Sequence, residues 1–131
     1  MRHLVAHARR RRAWDDMTYQ QYNVLRLIDT RGPQPQAEVA RALMVTAPVV
    51  TRLAAALTDA GLVERQADPK DRRAVILALT DTGRRRARRM RRDLLTAARE
   101  LLEPLAQDRR AAVAAALEEL QVLLPDHSAR R

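Results

Sequence analysis

The feature that most constrains this chain is the order of helix starts and stops between residues 36 and 80. Residues 36–43 read as a short helix with Val39, Ala40 and Leu43 on its inner face. Met44-Val45-Thr46 makes a brief turn. A second helix is predicted over 47–60, with Thr46 as its N-cap and Pro48 in the first turn, where a missing N–H costs nothing. Val49, Leu53, Ala56, Leu57 and Ala60 recur at helical spacing and predict its buried stripe. Gly61 stands just past the end, where a positive φ is wanted. Two strand-like runs follow, 62–66 and 74–79, the second with Val75, Leu77 and Leu79 on one face. Between them, Ala67-Asp68-Pro69-Lys70-Asp71-Arg72-Arg73 predicts the basic tip of a β-hairpin.

The flanks are helical. Thr18 predicts an N-cap for a helix reaching about residue 30, with Tyr22, Leu25 and Ile28 on one stripe. Gly32-Pro33-Gln34-Pro35 stops it and predicts a loop. Residues 3–14 can form a helix in which arginines 9–12 lie beside Leu4, Val5, Ala8 and Trp14. From Thr80 a long helix is predicted to about residue 103, with Ala87, Met90, Leu94, Ala97 and Leu101 spaced close to a coiled-coil seam. Pro104 interrupts it. A last helix over 108–124 carries Val113, Ala116, Leu117, Leu120 and Leu124 on one stripe. The fold class expected is mainly α with a small β-hairpin.

With 131 residues the chain is the size of one domain, and no internal repeat is visible. It has no Phe, so the core must be built mainly from Leu, Val, Ile and Ala. The formal net charge is +9, and Lys70 is the only lysine. Such a field favours polyanions, and a guanidinium can grip phosphate bidentately. A GC-rich genome is a second source of the same Arg and Ala bias. The absence of Cys excludes disulfides, thiolate metal sites and thiol redox sensing.

No apolar run is long enough to span a bilayer, and the N-terminus lacks the pattern of a signal peptide, which predicts a cytoplasmic protein with no membrane partner. There is no Gly-rich phosphate loop, no Ser/His/Asp set and no paired-carboxylate site, so neither an enzyme nor a cofactor is expected. His3 and His7 have a spacing that can chelate a metal, but no Cys or nearby acid joins them. No metal site is predicted, and zinc response through this pair stays open as an alternative.

A short helix, a tight turn, a second helix and a hairpin form the layout of a winged helix-turn-helix. The second helix of such a module enters the major groove. With Leu53 inward, Ala47, Pro48, Thr51, Ala55 and Thr58 point outward and Arg52 sits on the shoulder. That face is small and nearly uncharged, which suits close approach to a groove, methyl contacts to thymine and readout of groove shape. The arginines at 84, 85, 86, 88, 89, 91 and 92 form either a solvated face or contacts to flanking phosphates.

The segment Asp68-Pro69-Lys70-Asp71-Arg72-Arg73, followed by Val75-Ile76-Leu77-Ala78-Leu79-Thr80 and Gly83, resembles the wing of the MarR (multiple antibiotic resistance regulator) family. Gly61-Leu62-Val63-Glu64-Arg65, Val50-Thr51-Arg52-Leu53, and Thr18 with Gln20, Gln21 and Leu25 are similar to three other stretches of that family. The resemblance runs from about Thr18 to Gly83.

It implies a winged helix-turn-helix domain over 18–83, with 1–17 and 84–131 as a helical dimerisation region. It implies a homodimer on a pseudo-palindromic operator of double-stranded DNA, acting as a repressor, with a small-molecule effector that releases it. The DNA-binding residues expected are Thr46, Ala47, Pro48, Thr51, Arg52 and Ala55 on the helix, and Lys70, Asp71, Arg72 and Arg73 on the wing. Arg72 would enter the minor groove with Asp71 orienting it. The dimerisation residues expected are Leu4, Met90, Leu94, Leu101, Val113, Leu117, Leu120 and Leu124. A winged-helix module that docks protein or RNA is the alternative.

Overall fold

The computed structural model describes residues 12–104 and 107–123, with side chains of the last segment described through 119. His3, His7, Leu4 and Leu124 lie outside the described residues, as does the side chain of Leu120. Of the helix expected over 3–14, only Arg12–Trp14 is described, and it forms a single 3-10 turn.

Helix α1 (Tyr19–Arg31) opens with a reciprocal cap. The Gln21 amide donates to Thr18 Oγ1 at 3.1 Å, and the Thr18 amide donates to Gln21 Oε1 at 2.9 Å. It ends at Gly32, φ +81°, whose N–H donates to the Ile28 carbonyl. The Gly-Pro stretch beyond was expected to be loop. Instead Gln34–Pro35 forms strand β1, paired antiparallel with β3 through Gln34↔Leu77 and Pro35↔Ile76. The hairpin expected from sequence is therefore part of a three-stranded sheet of order β1-β3-β2. Pro35 is tolerated because β1 is an edge strand, where its missing N–H removes no needed bond.

Helices α2 (Gln36–Leu43) and α3 (Ala47–Asp59) follow, then β2 (Val63–Ala67), β3 (Val75–Leu79), α4 (Asp81–Leu102) and α5 (Gln107–Leu123). The inner face of α3 differs from the expected one by about one residue. Val50, Ala54 and Leu57 are buried, Val49 and Leu53 are half-buried, and Ala56 and Ala60 are exposed. The two phases share Leu57. An alanine-rich helix supports both, because alanines carry little hydrophobic weight to choose between them.

One continuous core joins α1, α2, α3, the sheet and α4. It extends to the segment before α1, since Trp14 and Met17 are both buried. Trp14 lies 5.0 Å from Tyr22, centroid to centroid, and its indole N–H donates to the Met90 carbonyl at 3.1 Å. Arg86 donates to the Ala13 and Asp15 carbonyls at 2.6 and 2.7 Å. Together these bonds clamp the 3-10 turn onto α4.

Met90, expected on the dimer seam, is corrected by this packing. It is wholly buried within its own chain, with Ala87 and Ala97, and has no surface left to offer a second copy. The coiled-coil spacing of α4 instead reports packing against α1 and the 3-10 turn. Leu94 is half-buried against the same core, whereas Leu95 and Leu101 are about half exposed. On α5 Val113 is half-buried and the other described side chains are exposed, Leu117 among them.

The start of α4 is held by Thr80. Its Oγ1 donates to the Gly61 carbonyl at 2.7 Å and accepts from the Gly83 amide at 3.0 Å, while its N–H donates to the Leu62 carbonyl. Gly83 packs so closely that a Cβ there would overlap the Leu62 carbonyl oxygen. That atom is backbone and cannot swing aside. Gly83→Ala is therefore expected to destabilise the fold by about 2–3 kcal/mol, as an overpacked contact does, measured by urea unfolding.

Candidate nucleic-acid interface

Helices α2 and α3 turn through 112° across Met44 and Val45, the angle of a helix-turn-helix. Met44 closes α2 in the left-handed region, φ +56° and ψ +43°. Its N–H donates to the Arg41 carbonyl and that of Val45 to the Ala40 carbonyl. The left-handed geometry costs about 1 kcal/mol at a non-glycine residue. Thr46 occupies the N-cap position of α3 with extended backbone, but its side chain makes no cap hydrogen bond. Thr46 is exposed, and its side chain does not satisfy the first N–H groups of the helix.

Thr46, Ala47, Pro48, Thr51 and Arg52 are all exposed on the first two turns of α3. Ala55, expected on this face, is half-buried, and the altered phase brings Ala56 out in its place. Thr58 is also half-buried, its hydroxyl bonded to the Ala54 carbonyl. The Thr51 hydroxyl donates to the Ala47 carbonyl at 3.1 Å. Its proton is thus taken, and the oxygen is left as an acceptor, suited to an exocyclic amine of a base. No carboxylate lies on the exposed face of this helix before Asp59 at its last turn.

The wing is registered from Val63↔Leu79 at its base to Ala67↔Val75 near its tip. Two aspartates shape the tip through their own backbone. Asp68 Oδ1 accepts from the Lys70 amide and Asp71 Oδ1 from the Arg73 amide, both at 2.9 Å. The carboxylate expected to orient Arg72 thus also braces the turn through one of its oxygens. Lys70, Arg72 and Arg73 are exposed, and none has an ion-pair partner among the described residues.

The structural roles of two arginines were not legible in the sequence. Arg65 of β2 reaches the Thr51 carbonyl in the middle of α3 at 3.4 Å, a long bond that ties wing to helix. The sequence marked it only as the end of the family-like stretch Gly61–Arg65, with no sign of this contact. Arg86 was hidden inside the arginine run, yet alone in that run it clamps the segment before α1. The rest of the run stays outward. Arg84 pairs with exposed Asp81, Arg85 touches Thr82, and Arg88 approaches Asp29 at 3.6 Å. Surface pairs of this kind stabilise little. Burial pushes the Tyr22 phenol above its ordinary pKa, while Arg26 and Arg91 nearby pull it back.

Among the described residues no group of three or more His, Cys, Asp or Glu could hold a metal ion. No single described helix is long and apolar enough to cross a membrane.

A helix-turn-helix, followed by a wing tied to its second helix and tipped with three cations, defines a winged helix-turn-helix protein. Residues 17–75 match the model of the MarR family. Its members are transcriptional regulators rather than enzymes.

Wild-type MarR from E. coli, solved in its apo form, is 25% identical with a TM-score of 0.80, over 90% of this chain and 85% of that one. The PcaV transcriptional regulator from Streptomyces coelicolor, solved with its natural ligand, is 25% identical with a TM-score of 0.65, over 83% of this chain and 81% of that one. An uncharacterized HTH-type transcriptional regulator of Bacillus subtilis, YkoM, is 38% identical over 63 residues. That match spans 48% of this chain and 41% of the curated relative.

The bracing role of Asp71 is testable in the free protein. Asp71→Ala removes the acceptor of the Arg73 amide, so hydrogen exchange at that amide should accelerate severalfold. Global stability should move by less than about 0.5 kcal/mol, as for an exposed site.

Proposed function

We propose that this chain is a transcriptional repressor that binds a pseudo-palindromic DNA operator as a homodimer and is released by a small-molecule effector. The observation that carries the reading is the composite surface of α3 and the wing. Thr46, Ala47, Pro48, Thr51 and Arg52 offer the groove a face free of carboxylates. Arg65 ties that face to a ribbon whose tip presents Lys70, Arg72 and Arg73. The helix face suits the major groove, and Arg72 suits the adjacent minor groove. Ala55, half-buried, would contribute only by letting the backbone approach closely.

The dimer reading is supported by apolar side chains that the single chain leaves uncovered. Leu95, Leu101 and Leu117 are each about half exposed on α4 and α5. A second copy covering them, with Leu94, Val113, Leu120, Leu124 and Leu4 alongside, would set two winged units at the roughly 34 Å spacing of successive major grooves. The effector reading is supported by the similarity to PcaV, which was solved with its natural ligand. A ligand that favours a different spacing of the two units lowers DNA affinity by that preference and no more.

The test begins with duplex fragments selected from genomic DNA by the purified protein. Six to ten phosphate contacts should cost roughly 10³ to 10⁵ in affinity between 50 and 200 mM salt. Affinity that stays flat over that range would refute a phosphate-gripping interface. Arg72→Ala should weaken operator binding by about tenfold or more, whereas Arg109→Ala on α5 should change it less than about twofold. Equal effects in anisotropy titrations would remove the wing from the interface.

A further inference from the structure

Met44 contradicts the economy of the rest of the fold twice. Among the described residues only Asp16 and Met44 hold a positive φ without being glycine. Asp tolerates that region through local hydrogen bonding, and glycine enters it freely, but an unbranched apolar side chain gains nothing there. The second anomaly is exposure. Met44 is 92% exposed, against 48–53% for the exposed leucines of α4 and α5. The backbone is strained, and the side chain touches almost nothing in return. Residues held this way point to function when the surrounding structure forces them.

The placement says which function. Met44 stands two residues before Thr46, and its neighbour Val45 packs partly into the core, which fixes the direction of the turn. Exposure continues through Ala47 and Pro48. The entrance to α3 therefore carries a small apolar patch, Met44 with Ala47 and Pro48, in a chain where 31% of residues are charged.

We propose that Met44 is a DNA-contacting residue whose thioether packs on apolar CH groups of the duplex, either deoxyribose or a thymine 5-methyl, beside the first turn of α3. This rests on the regulator reading and adds to it a contact that is not ionic. Thymine methyls are the apolar feature of the major groove, and methionine adapts its shape to such surfaces. An apolar contact displaces no counterion, so its loss leaves the salt dependence of binding intact.

Met44→Ala keeps a strained non-glycine residue and deletes the thioether, whereas Met44→Gly deletes both. On a selected operator duplex both variants should lose about three- to tenfold in affinity, with the wild-type salt slope. In thermal unfolding Met44→Gly should gain a few degrees in Tm, and Met44→Ala should stay within about 1 °C. Binding that weakens while stability rises is what a purely structural residue would not give.

Deoxyuridine in place of each half-site thymine separates the two sources. A position that weakens the wild type but not Met44→Ala assigns the thymine methyl, and the absence of any such position assigns deoxyribose. Wild-type affinity in both variants overturns the contact while the regulator reading stands. So does an altered salt slope. A wild-type chain that binds no duplex overturns both.

Discussion

One hydroxyl group holds the working parts of this molecule together. Thr80 Oγ1 bonds to the carbonyl of Gly61 at the end of α3 and to the amide of Gly83 in the first turn of α4. Its own amide reaches the Leu62 carbonyl just before β2. Helix α3, the wing and the long helix therefore meet at one junction. Gly61 supplies the positive φ that lets the chain leave α3, and Gly83 supplies the missing Cβ that lets α4 lie against it. If the junction loosened, α3 and the wing would still share the core through Leu57, Leu62 and Val63, and the long bond from Arg65 to Thr51 would remain, but the start of α4 would lose its tie to both.

Much of this was legible because it is encoded locally. The N-cap Thr18, the glycines after α1 and α3, and the strand period of Val75, Leu77 and Leu79 each act within a few residues. The parts that escaped depend on distant partners. The phase of α3 was ambiguous because four alanines dilute the periodic signal, and only the shape of the surrounding core selects Val50 and Ala54. Strand β1 is two residues beside prolines and exists because β3 has an open edge. Met90 has the spacing of a seam residue, and its partner proved to be Trp14, 76 positions away. Within the candidate interface, residue identities on the wing were readable, but the use of Asp71 was not, since a carboxylate can brace a turn or a guanidinium with equal chemical ease.

The arginines divide by role in a way that composition conceals. Arg86 is a structural fastener, spent on two main-chain carbonyls. Arg65 positions one part of the interface relative to another. Arg84 and Arg88 lean on exposed or partly exposed acids. Arg52, Arg72 and Arg73 have no carboxylate partner among the described residues. The net charge thus sums groups already satisfied and groups still open, and only the latter contribute to grip on a polyanion.

The wing tip carries a further practical property. Lys70 is the sole lysine of a chain that has no cysteine, and it sits exposed on the turn braced by Asp68. Apart from the terminal amine, acylating reagents have a single address on this protein. A dye or photo-crosslinker delivered by ordinary amine coupling lands at the end of the β-ribbon, without a mutation to introduce a handle.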